Sequence, residues 1–282
     1  MPTAVAAPFR FFPLQVVRTR RLGPSLIRVT FGGEALEGFA SGGRDQSLSL
    51  FLPHPGQQEP VIPLPGEEDM YARLGAWRAL PDDERAVLRS YTVREQRPDA
   101  GEHGEVDIDF AVHEDGGPAC RWAQKASAGD RVTVLGPAIA DNTAVRFRLP
   151  EDADSVVIWA DETALPAASA ILEWLPAGIP AQVWIKVPHA GDRTDLVTAA
   201  DADVTWLVRD EGAPPAVEAV RAAEFAGSAP YAWIAGESGS VKALRRHLVN
   251  ERGIDRRRVT FVGYWRKGLS EDALRETPDD DA

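Results

Sequence analysis

A change in hydrophobic periodicity near residue 150 constrains the fold of this chain more than any other feature. Before it, apolar and polar residues alternate in short segments, three of which end at glycine or proline: "LIRVTFGG" (26–33), "SLSLFLP" (47–53), "EVDIDFAVHE" (105–114) and "DRVTVLGP" (130–137). A period of two is typical of strands that bury one face. Short strands with turn signals between them predict an antiparallel barrel or sandwich.

After about residue 150 the apolar segments become continuous and alternate with helical patterns. The predicted strands are 155–160, 181–187, 203–209, 231–237 and 259–265, and the predicted helices are 161–175, 215–226 and 240–253. Near-continuous apolar strands between helices indicate a doubly wound parallel sheet with both faces covered. We therefore expect two domains, residues 1–150 and 151–282.

Few helices are expected in the first half. Short ones are predicted at "DDERAVL" (82–88) and "PACRWAQKA" (118–126), the second directly after a glycine pair. The acidic end of the chain, "ETPDDDA" (276–282), is expected to be a frayed tail.

Composition excludes several classes of function. A net charge of −12 over 282 residues argues against nucleic acid or an anionic membrane as the main partner. A single cysteine, Cys120, cannot form an internal disulfide or supply a four-thiolate iron–sulfur cluster, and the five histidines follow no metal-ligand spacing. We therefore expect no built-in metal, and redox chemistry would require an organic cofactor. Without a secretory signal or an apolar run of about 20 residues, the chain is expected to be cytoplasmic. A monomer is the default expectation.

Two kinds of segment are candidates for binding. "RSYTVR" (89–94) is compatible with a surface strand or with a binding site for a flat, anionic ligand. The segment alone does not distinguish these two alternatives. Small polar residues also follow two strands of the second half, at 161–164 and 236–240. Open parallel sheets bind ligands beyond the carboxyl ends of their strands, although ordinary helix capping accounts for such residues equally well. The dinucleotide fingerprint G-x-G-x-x-G is absent.

Seven motifs, in order along nearly the whole chain, resemble those of one family. They are "RSYTVR" (89–94), "VDIDFAVH" (106–113), "GGPACRWA" (116–123), "GDRVTVLGP" (129–137), "ADETALPA" (160–167), "WIAGE" (233–237) and "GYWRKG" (263–268). The chain resembles the siderophore-interacting proteins, which are FAD-dependent ferric-siderophore reductases of the ferredoxin-reductase-like superfamily. The resemblance implies a six-stranded-type, FAD-binding antiparallel β-barrel followed by an NAD(P)H-binding α/β domain.

The resemblance also implies roles for individual residues. Arg89 would bind the FAD pyrophosphate, Tyr91 would pack on the isoalloxazine, and Thr92 would hydrogen-bond near its N5 atom, so that Tyr91 and Thr92 are the candidate catalytic residues. The residues implied in cofactor binding are Arg89, Ser90, Tyr91, Thr92, Asp107, His113, Gly116, Gly117, Pro118, Ala119, Thr163, Ala164, Gly236, Glu237, Tyr264 and Trp265. The candidates for substrate binding are Arg246, Arg266 and Lys267.

The implied reaction is electron transfer from NADPH or NADH through FAD to the Fe(III) of a ferric siderophore, with release of Fe(II). The chain departs from the family pattern at Ser49 and Ala138, where members often carry lysine and arginine. Either the substrate is a ferric complex less anionic than a catecholate, or C-terminal cations supply the positive charge that binds it. Those cations could instead bind the 2′-phosphate of NADPH. A flavin reductase with another acceptor, or with reduced ferredoxin as donor, is the alternative, followed by a flavin-free siderophore-binding module.

Overall fold

The computed structural model describes residues 7–63 and 70–269, which divide into two compact units. The first unit contains the chain up to Leu22 together with Leu26–Val145. The second contains Gly23–Ser25 and the chain from Arg146 onward. The small segment Gly23–Ser25 is held in the second unit by the buried Asp192 carboxylate, which accepts a hydrogen bond of 2.7 Å from the Ser25 backbone N–H.

The described residues of the first unit form a seven-stranded sheet. Its strands are β1 (Phe9–Gly23), β2 (Leu26–Gly32), β3 (Ser47–Leu52), β4 (Val87–Thr92), β5 (Glu95–Arg97), β6 (Glu105–Ala111) and β7 (Arg131–Pro137). They are ordered β4-β3-β7-β1-β2-β6-β5, and the β1–β7, β2–β6, β3–β4, β3–β7 and β5–β6 pairs are antiparallel. The predicted antiparallel architecture is confirmed, but the strand count of six was wrong, since the three-residue β5 adds a seventh strand.

The helices of the first unit differ from expectation at one place. The predicted helix at 82–88 was wrong: Pro81 starts a tight turn, with the Arg85 N–H donating to its carbonyl over 2.9 Å, and Val87 already begins β4. The helix forms instead as α1 (Met70–Arg78), whose Trp77 packs edge-on against Phe51 with ring centroids 5.5 Å apart. The second predicted helix is present as α2 (Pro118–Ala123).

The second unit is built on a parallel sheet, as predicted. Its described strands are β8 (Ser155–Ala160), β9 (Pro180–Val187), β10 (Asp201–Val208), β11 (Pro230–Glu237) and β12 (Val259–Trp265), in the order β10-β9-β8-β11-β12. The helices are α3 (Leu165–Trp174), α4 (Ala216–Arg221) and α5 (Ser238–Arg246), and α5 continues into one π-helical turn, His247–Glu251. Strand order reverses between β8 and β11, which is where open α/β sheets bind ligands.

The helix bounds are shorter or shifted relative to the predictions. The helix predicted at 161–175 begins only at Leu165, because Asp161 and Thr163 form a hydrogen-bonded turn. The acidic tail at 276–282 lies outside the described residues. Within the described part of the chain, no helix combines the length and apolar character needed to cross a bilayer.

Candidate functional site

Strand β4 carries the first group of predicted site residues. It is a terminal strand in the sheet order, and Ser90 pairs with Ser49 while Tyr91 pairs with Leu48. Arg89 is 9% exposed, and its Nη1 donates to the Leu88 carbonyl over 2.6 Å. Ser90 is exposed, Tyr91 is half-buried and the Thr92 side chain is buried. A guanidinium and a phenol ring two residues apart on one strand therefore lie on the same side of it.

Aromatic packing fixes the orientation of Tyr91. Its ring centroid lies 4.4 Å from that of the buried Phe110 on β6, with the planes tilted by 46°. Phe110 in turn contacts Trp122 of α2 at 5.8 Å, and Trp122 stacks almost parallel to Phe31 at 6.3 Å. Because this row of rings supports Tyr91 from the core side, the half-buried phenol ring is held as a flat surface.

The turn from His113 to Ala119 leads into α2. Gly116 donates its N–H to the His113 carbonyl over 3.1 Å, and a Cβ at Gly116 would lie 2.0 Å from Cys120 Sγ, so the turn accepts only glycine there. By contrast, no atom lies within 4 Å of a Cβ placed at Gly117. Gly117 is the N-cap of α2, and no side chain caps this end of the helix. The turn therefore presents an open, glycine-lined surface at an uncapped helix start.

The members of this turn differ in exposure. His113, Gly117 and Pro118 are exposed, whereas Ala119 is buried in the same hydrophobic cluster against which Tyr91 packs. Cys120 is also buried there, and its Sγ accepts from the His113 N–H at 3.3 Å and contacts the His113 carbonyl at 3.4 Å. The fold thus brings residues 89–92 and 113–119 to one hydrophobic cluster. The Cys120 thiol is buried in this cluster and has a structural role.

Asp107 is predicted as a cofactor ligand, but its side chain has other partners. It is 2% exposed and accepts hydrogen bonds from Thr30 Oγ1 at 2.7 Å and from two Arg97 nitrogens at 2.8 Å each. Phe110 and the other core residues of β6 lie on the opposite face of that strand. Burial opposes ionisation of Asp107, but the Arg97 and Thr30 hydrogen bonds lower its pKa below the usual value. The carboxylate therefore stabilises the sheet and is not brought to Tyr91.

At the carboxyl edge of the second sheet, Asp161 joins the ends of three strands. It directly follows β8 and is 2% exposed. Its Oδ1 accepts from the Thr163 N–H at 3.0 Å and from Thr163 Oγ1 at 2.6 Å. Its Oδ2 accepts from the Glu237 N–H of β11 and from Trp265 Nε1 of β12, both at 2.8 Å. Three of the predicted cofactor residues, Thr163, Glu237 and Trp265, are thus held by one carboxylate, which lies in the candidate segment 161–164 but was not among the predicted site residues.

Gly236 gives this carboxylate its space. Its φ is +140°, and a Cβ there would lie 2.5 Å from Asp161 Cγ. The register between β11 and β12 shifts at this point, between Gly236 and Glu237. The Glu237 carboxylate caps α5 by accepting from the Ser240 N–H at 2.8 Å. Although burial opposes ionisation, hydrogen bonds from the backbone N–H groups of Gly239, Ser240 and Lys267 lower the pKa of Glu237.

The end of β12 is fixed through backbone and side chain together. Ser238 Oγ donates to the Trp265 carbonyl at 2.9 Å, and a Cβ at Gly263 would lie 2.6 Å from Ser238 Oγ. Tyr264 and Trp265 are half-buried, and the two cations that follow, Arg266 and Lys267, are exposed. Close packing on Ser238 therefore explains the first glycine of "GYWRKG", Gly263.

Two further predicted residues differ in what they can offer a ligand. Ala164 is fully buried, and its N–H donates to the Asp161 carbonyl at 3.0 Å, so its side chain belongs to the core. Arg246 is exposed at the end of α5, about 13 Å along the helix from the carboxyl edge at which α5 starts. It is therefore not brought to the edge that carries Arg266 and Lys267.

Three further C-terminal arginines lie near the amino edge of the sheet and have structural partners. Arg258 binds the Asp152 carboxylate at 2.9 Å and the Ala229 carbonyl at 2.9 Å, just before β8 and β11. Arg252 donates to the Ala223 carbonyl at 2.6 Å, and Arg257 binds Asp255. These three cations therefore hold loops of the second unit.

Glu162, next to Asp161, is an unusual carboxyl group. It is half-buried, and burial together with the neighbouring Asp161 charge raises its pKa to about 7, against weaker opposing effects of Arg209 and Lys186. Burial likewise raises the pKa of Asp161, opposed by its hydrogen bonds. Within the described residues, no group of three or more His, Cys, Asp or Glu side chains is arranged to hold a metal ion.

Comparison with known proteins gives matches to both units and along nearly the whole chain. A family model described as siderophore-interacting FAD-binding domain matches residues 15–141, and one described as siderophore-interacting protein matches residues 153–268. Ferric vibriobactin reductase ViuB of Vibrio cholerae is 34% identical over 274 residues, 95% of this chain and 94% of the relative. An NADPH-dependent ferric-chelate reductase of Escherichia coli is 34% identical over 269 residues, 94% of this chain and 96% of the relative.

Solved structures give the same result. The crystal structure of a siderophore utilization protein from T. fusca has a TM-score of 0.76 and 33% identity, covering 94% of this chain and 95% of that one. The ferredoxin reductase of carbazole 1,9a-dioxygenase, 14% identical with a TM-score of 0.63, covers 93% of this chain and 71% of that one, and is similar in fold alone. The resemblance drawn from the seven motifs is confirmed: this chain belongs to the siderophore-interacting protein family.

Proposed function

We propose that this chain is an NAD(P)H-dependent, FAD-dependent reductase that transfers electrons to the Fe(III) of a ferric siderophore and releases Fe(II). The observation that carries the proposal is the full-length similarity to ferric vibriobactin reductase and to an NADPH-dependent ferric-chelate reductase. The family match supplies the FAD-binding domain over residues 15–141. NADPH is the donor that we favour, because it is the one named for the Escherichia coli relative.

The residues of the first unit fit FAD. A guanidinium such as that of Arg89 matches phosphate oxygens in a bidentate manner, and the supported ring of Tyr91 suits a flat heterocycle. The open surface at Gly117, followed by an uncapped helix start, leaves room for an anionic group to approach the backbone. We therefore assign FAD binding to residues 89–92 and to the turn 113–119, with Asp107 as a structural residue.

Bound FAD would supply a carrier that accepts two electrons as hydride and passes them on singly, which the side chains of this protein cannot do. The tasks left to the chain are binding, orientation and the exclusion of water. Arg89 would bind phosphate, Tyr91 would fix the plane of the ring system, and Thr92 would offer a hydroxyl that can donate or accept.

We assign the nicotinamide donor to the carboxyl edge of the second sheet. Thr163, Gly236 and Trp265 meet there around Asp161, at the point where strand order reverses. The exposed cations Arg266 and Lys267 would attract an anionic nucleotide or ferric complex despite the overall negative charge. The protein would then act in the cytoplasm, where the nucleotide donor is supplied, as a monomer.

One observation favours a second candidate function. Ser49 lies in β3 and pairs with Ser90, and Ala138 packs against the hydrophobic cluster of the first unit. As serine and alanine, neither residue carries a charge. A reductase without these cations would bind a highly anionic catecholate complex weakly. The second candidate is therefore a flavin reductase with another acceptor, or with reduced ferredoxin as the donor. A less anionic ferric complex would instead suit the first function.

Steady-state assays with an Fe(II)-specific chromogenic chelator would test the proposal. The purified protein, supplied with FAD, would be given NADPH or NADH and ferric complexes of trianionic catecholate or neutral hydroxamate type. We expect nucleotide-dependent Fe(II) formation from at least one complex. Flavin binding without Fe(II) formation from any complex would favour the second candidate, and failure to bind FAD would contradict both.

A further inference from the structure

The Asp161 side chain hydrogen-bonds to three elements at the carboxyl edge of the second sheet: the turn after β8, the end of β11 and the end of β12. Its two oxygens divide their partners: Oδ1 accepts from both donors of Thr163, and Oδ2 accepts from the Glu237 N–H and the Trp265 indole. The distances lie between 2.6 and 3.0 Å, which is the range of good hydrogen bonds. The carboxylate is therefore fully used as an acceptor and is not exposed to a ligand.

The surroundings leave this carboxylate in one position. The atoms of Gly236 lie so close that a Cβ would be 2.5 Å from Asp161 Cγ and Oδ2. The Ala164 and Leu165 N–H groups bind the Asp161 carbonyl at 3.0 and 2.8 Å, which fixes its backbone as well. Because the indole N–H of the half-buried Trp265 donates to this buried carboxylate, Asp161 restrains the position of the ring.

We propose that Asp161 is a positioning residue for the nicotinamide donor: by holding the Trp265 indole and the Thr163 turn, it sets the surface of the second unit on which the dinucleotide binds. This inference rests on the proposed function for the identity of the ligand. Asp161 itself does not touch the ligand or the reacting atoms, and it acts through Thr163 and Trp265.

Substitution of Asp161 by asparagine separates this role from simple space filling. Asparagine has the same shape, but only one of its two terminal atoms accepts a hydrogen bond. In one orientation its NH₂ group would face the Thr163 N–H, and in the other it would face the Glu237 N–H and the Trp265 indole. In either orientation donors face donors, so part of the edge must move.

Asp154→Asn provides a matched control at the other end of β8. Asp154 accepts from the Ser228 N–H at 2.6 Å, the Ala229 N–H at 2.9 Å and Ser228 Oγ at 3.0 Å. Substitution of Asp154 therefore disrupts a set of hydrogen bonds comparable with that of Asp161, but at the opposite edge of the sheet. Trp265→Phe is the second variant, since it keeps an aromatic ring but removes the indole N–H together with the five-membered ring that carries it.

The experiment uses the full-length protein with three measurements. Two-dimensional ¹⁵N NMR would follow the Trp265 indole resonance, identified by its loss in Trp265→Phe. Titration would give the Kd for NADPH, and anaerobic stopped-flow would give the rate of flavin bleaching. We expect Asp161→Asn to shift the Trp265 resonance, raise Kd about 10-fold or more and slow bleaching by a similar factor. Asp154→Asn should leave all three unchanged even where it lowers stability.

Trp265→Phe should weaken NADPH binding in the same direction, and combining it with Asp161→Asn should give less than the product of the two effects. A folded Asp161→Asn protein with unchanged Kd and bleaching rate would overturn the proposal. Should Asp161→Asn fail to fold, an unaltered Kd in Trp265→Phe would overturn it. If the unsubstituted protein binds neither NADPH nor NADH, the proposed function fails. An unshifted Trp265 resonance in Asp161→Asn would then separately refute the positioning of Trp265.

Discussion

Replacing Gly236 with alanine should destabilise the second unit far more than alanine at an ordinary left-handed glycine. The backbone of Gly236 has φ of +140°, a conformation that costs a residue with a side chain about 1–3 kcal/mol. The added Cβ would also lie 2.5 Å from Asp161 Cγ, and overpacking of this kind costs about 1–3 kcal/mol. Together these two costs should lower the free energy of unfolding by about 4 kcal/mol, which includes displacement of the Asp161 carboxylate from its hydrogen-bond partners.

Gly212→Ala is the control, because Gly212 has φ of +76° and no atom lies within 4 Å of the added Cβ. It should cost only the backbone strain, about 1 kcal/mol. Urea denaturation followed by tryptophan emission suits the comparison, since six of the eight tryptophans lie in the second unit. With a slope of about 2 kcal/mol/M, the Gly236→Ala midpoint should fall about 1.5 M below that of Gly212→Ala. Equal midpoints for the two variants would refute the close contact between Gly236 and Asp161.

Three further predictions concern charge. Glu162, whose usual pKa is 4.5, has a folded pKa of about 7, so the stability contributed by its retained proton is complete below about pH 4.5 and is lost as pH rises through 7. Glu162→Gln should therefore raise the urea midpoint at pH 8 and leave it unchanged near pH 4.5, and a pH-independent difference would contradict this. Arg89→Ala should weaken FAD binding about 10- to 100-fold, as measured by fluorescence titration. Arg131→Ala, at an exposed residue of the same unit, should leave FAD affinity unchanged. Equal FAD affinities of the two variants would show that Arg89 does not bind the cofactor. Ser49→Lys should lower KM several-fold for a trianionic ferric complex at low salt but not for a neutral one, and an equal change for both would exclude an electrostatic cause.

The second unit could be predicted closely from the sequence because its pattern is strong and local. Continuous apolar segments such as 155–160 form strands wherever helices cover both faces of a sheet, and the structure has β8 at those residues. The first unit was harder. β1 contains Pro13 and a run of arginines, so its 15 residues lack a clean period of two, and α1 has only Trp77 buried, which leaves no apolar stripe to detect.

The site could be located from its motifs but not explained by them. The position of Asp161 after an apolar strand indicated a ligand edge, yet its partners Glu237 and Trp265 lie 76 and 104 residues away in the chain. The same limit applies to Asp107, whose partner Thr30 is 77 residues away on a neighbouring strand. Local pattern identifies which residues share a face, whereas pairing across distant strands depends on topology, and this decided which carboxylates are structural.

An anaerobic single-turnover experiment tests the central claim most directly. The FAD-loaded protein would be titrated with NADPH in the absence of oxygen, followed by a ferric siderophore and a chromogenic Fe(II) chelator. We expect NADPH to bleach the flavin absorbance, and the ferric complex to restore it with two Fe(II) formed for each flavin reoxidised. Bleaching by NADPH without reoxidation by any ferric complex would contradict the assignment as a ferric-siderophore reductase.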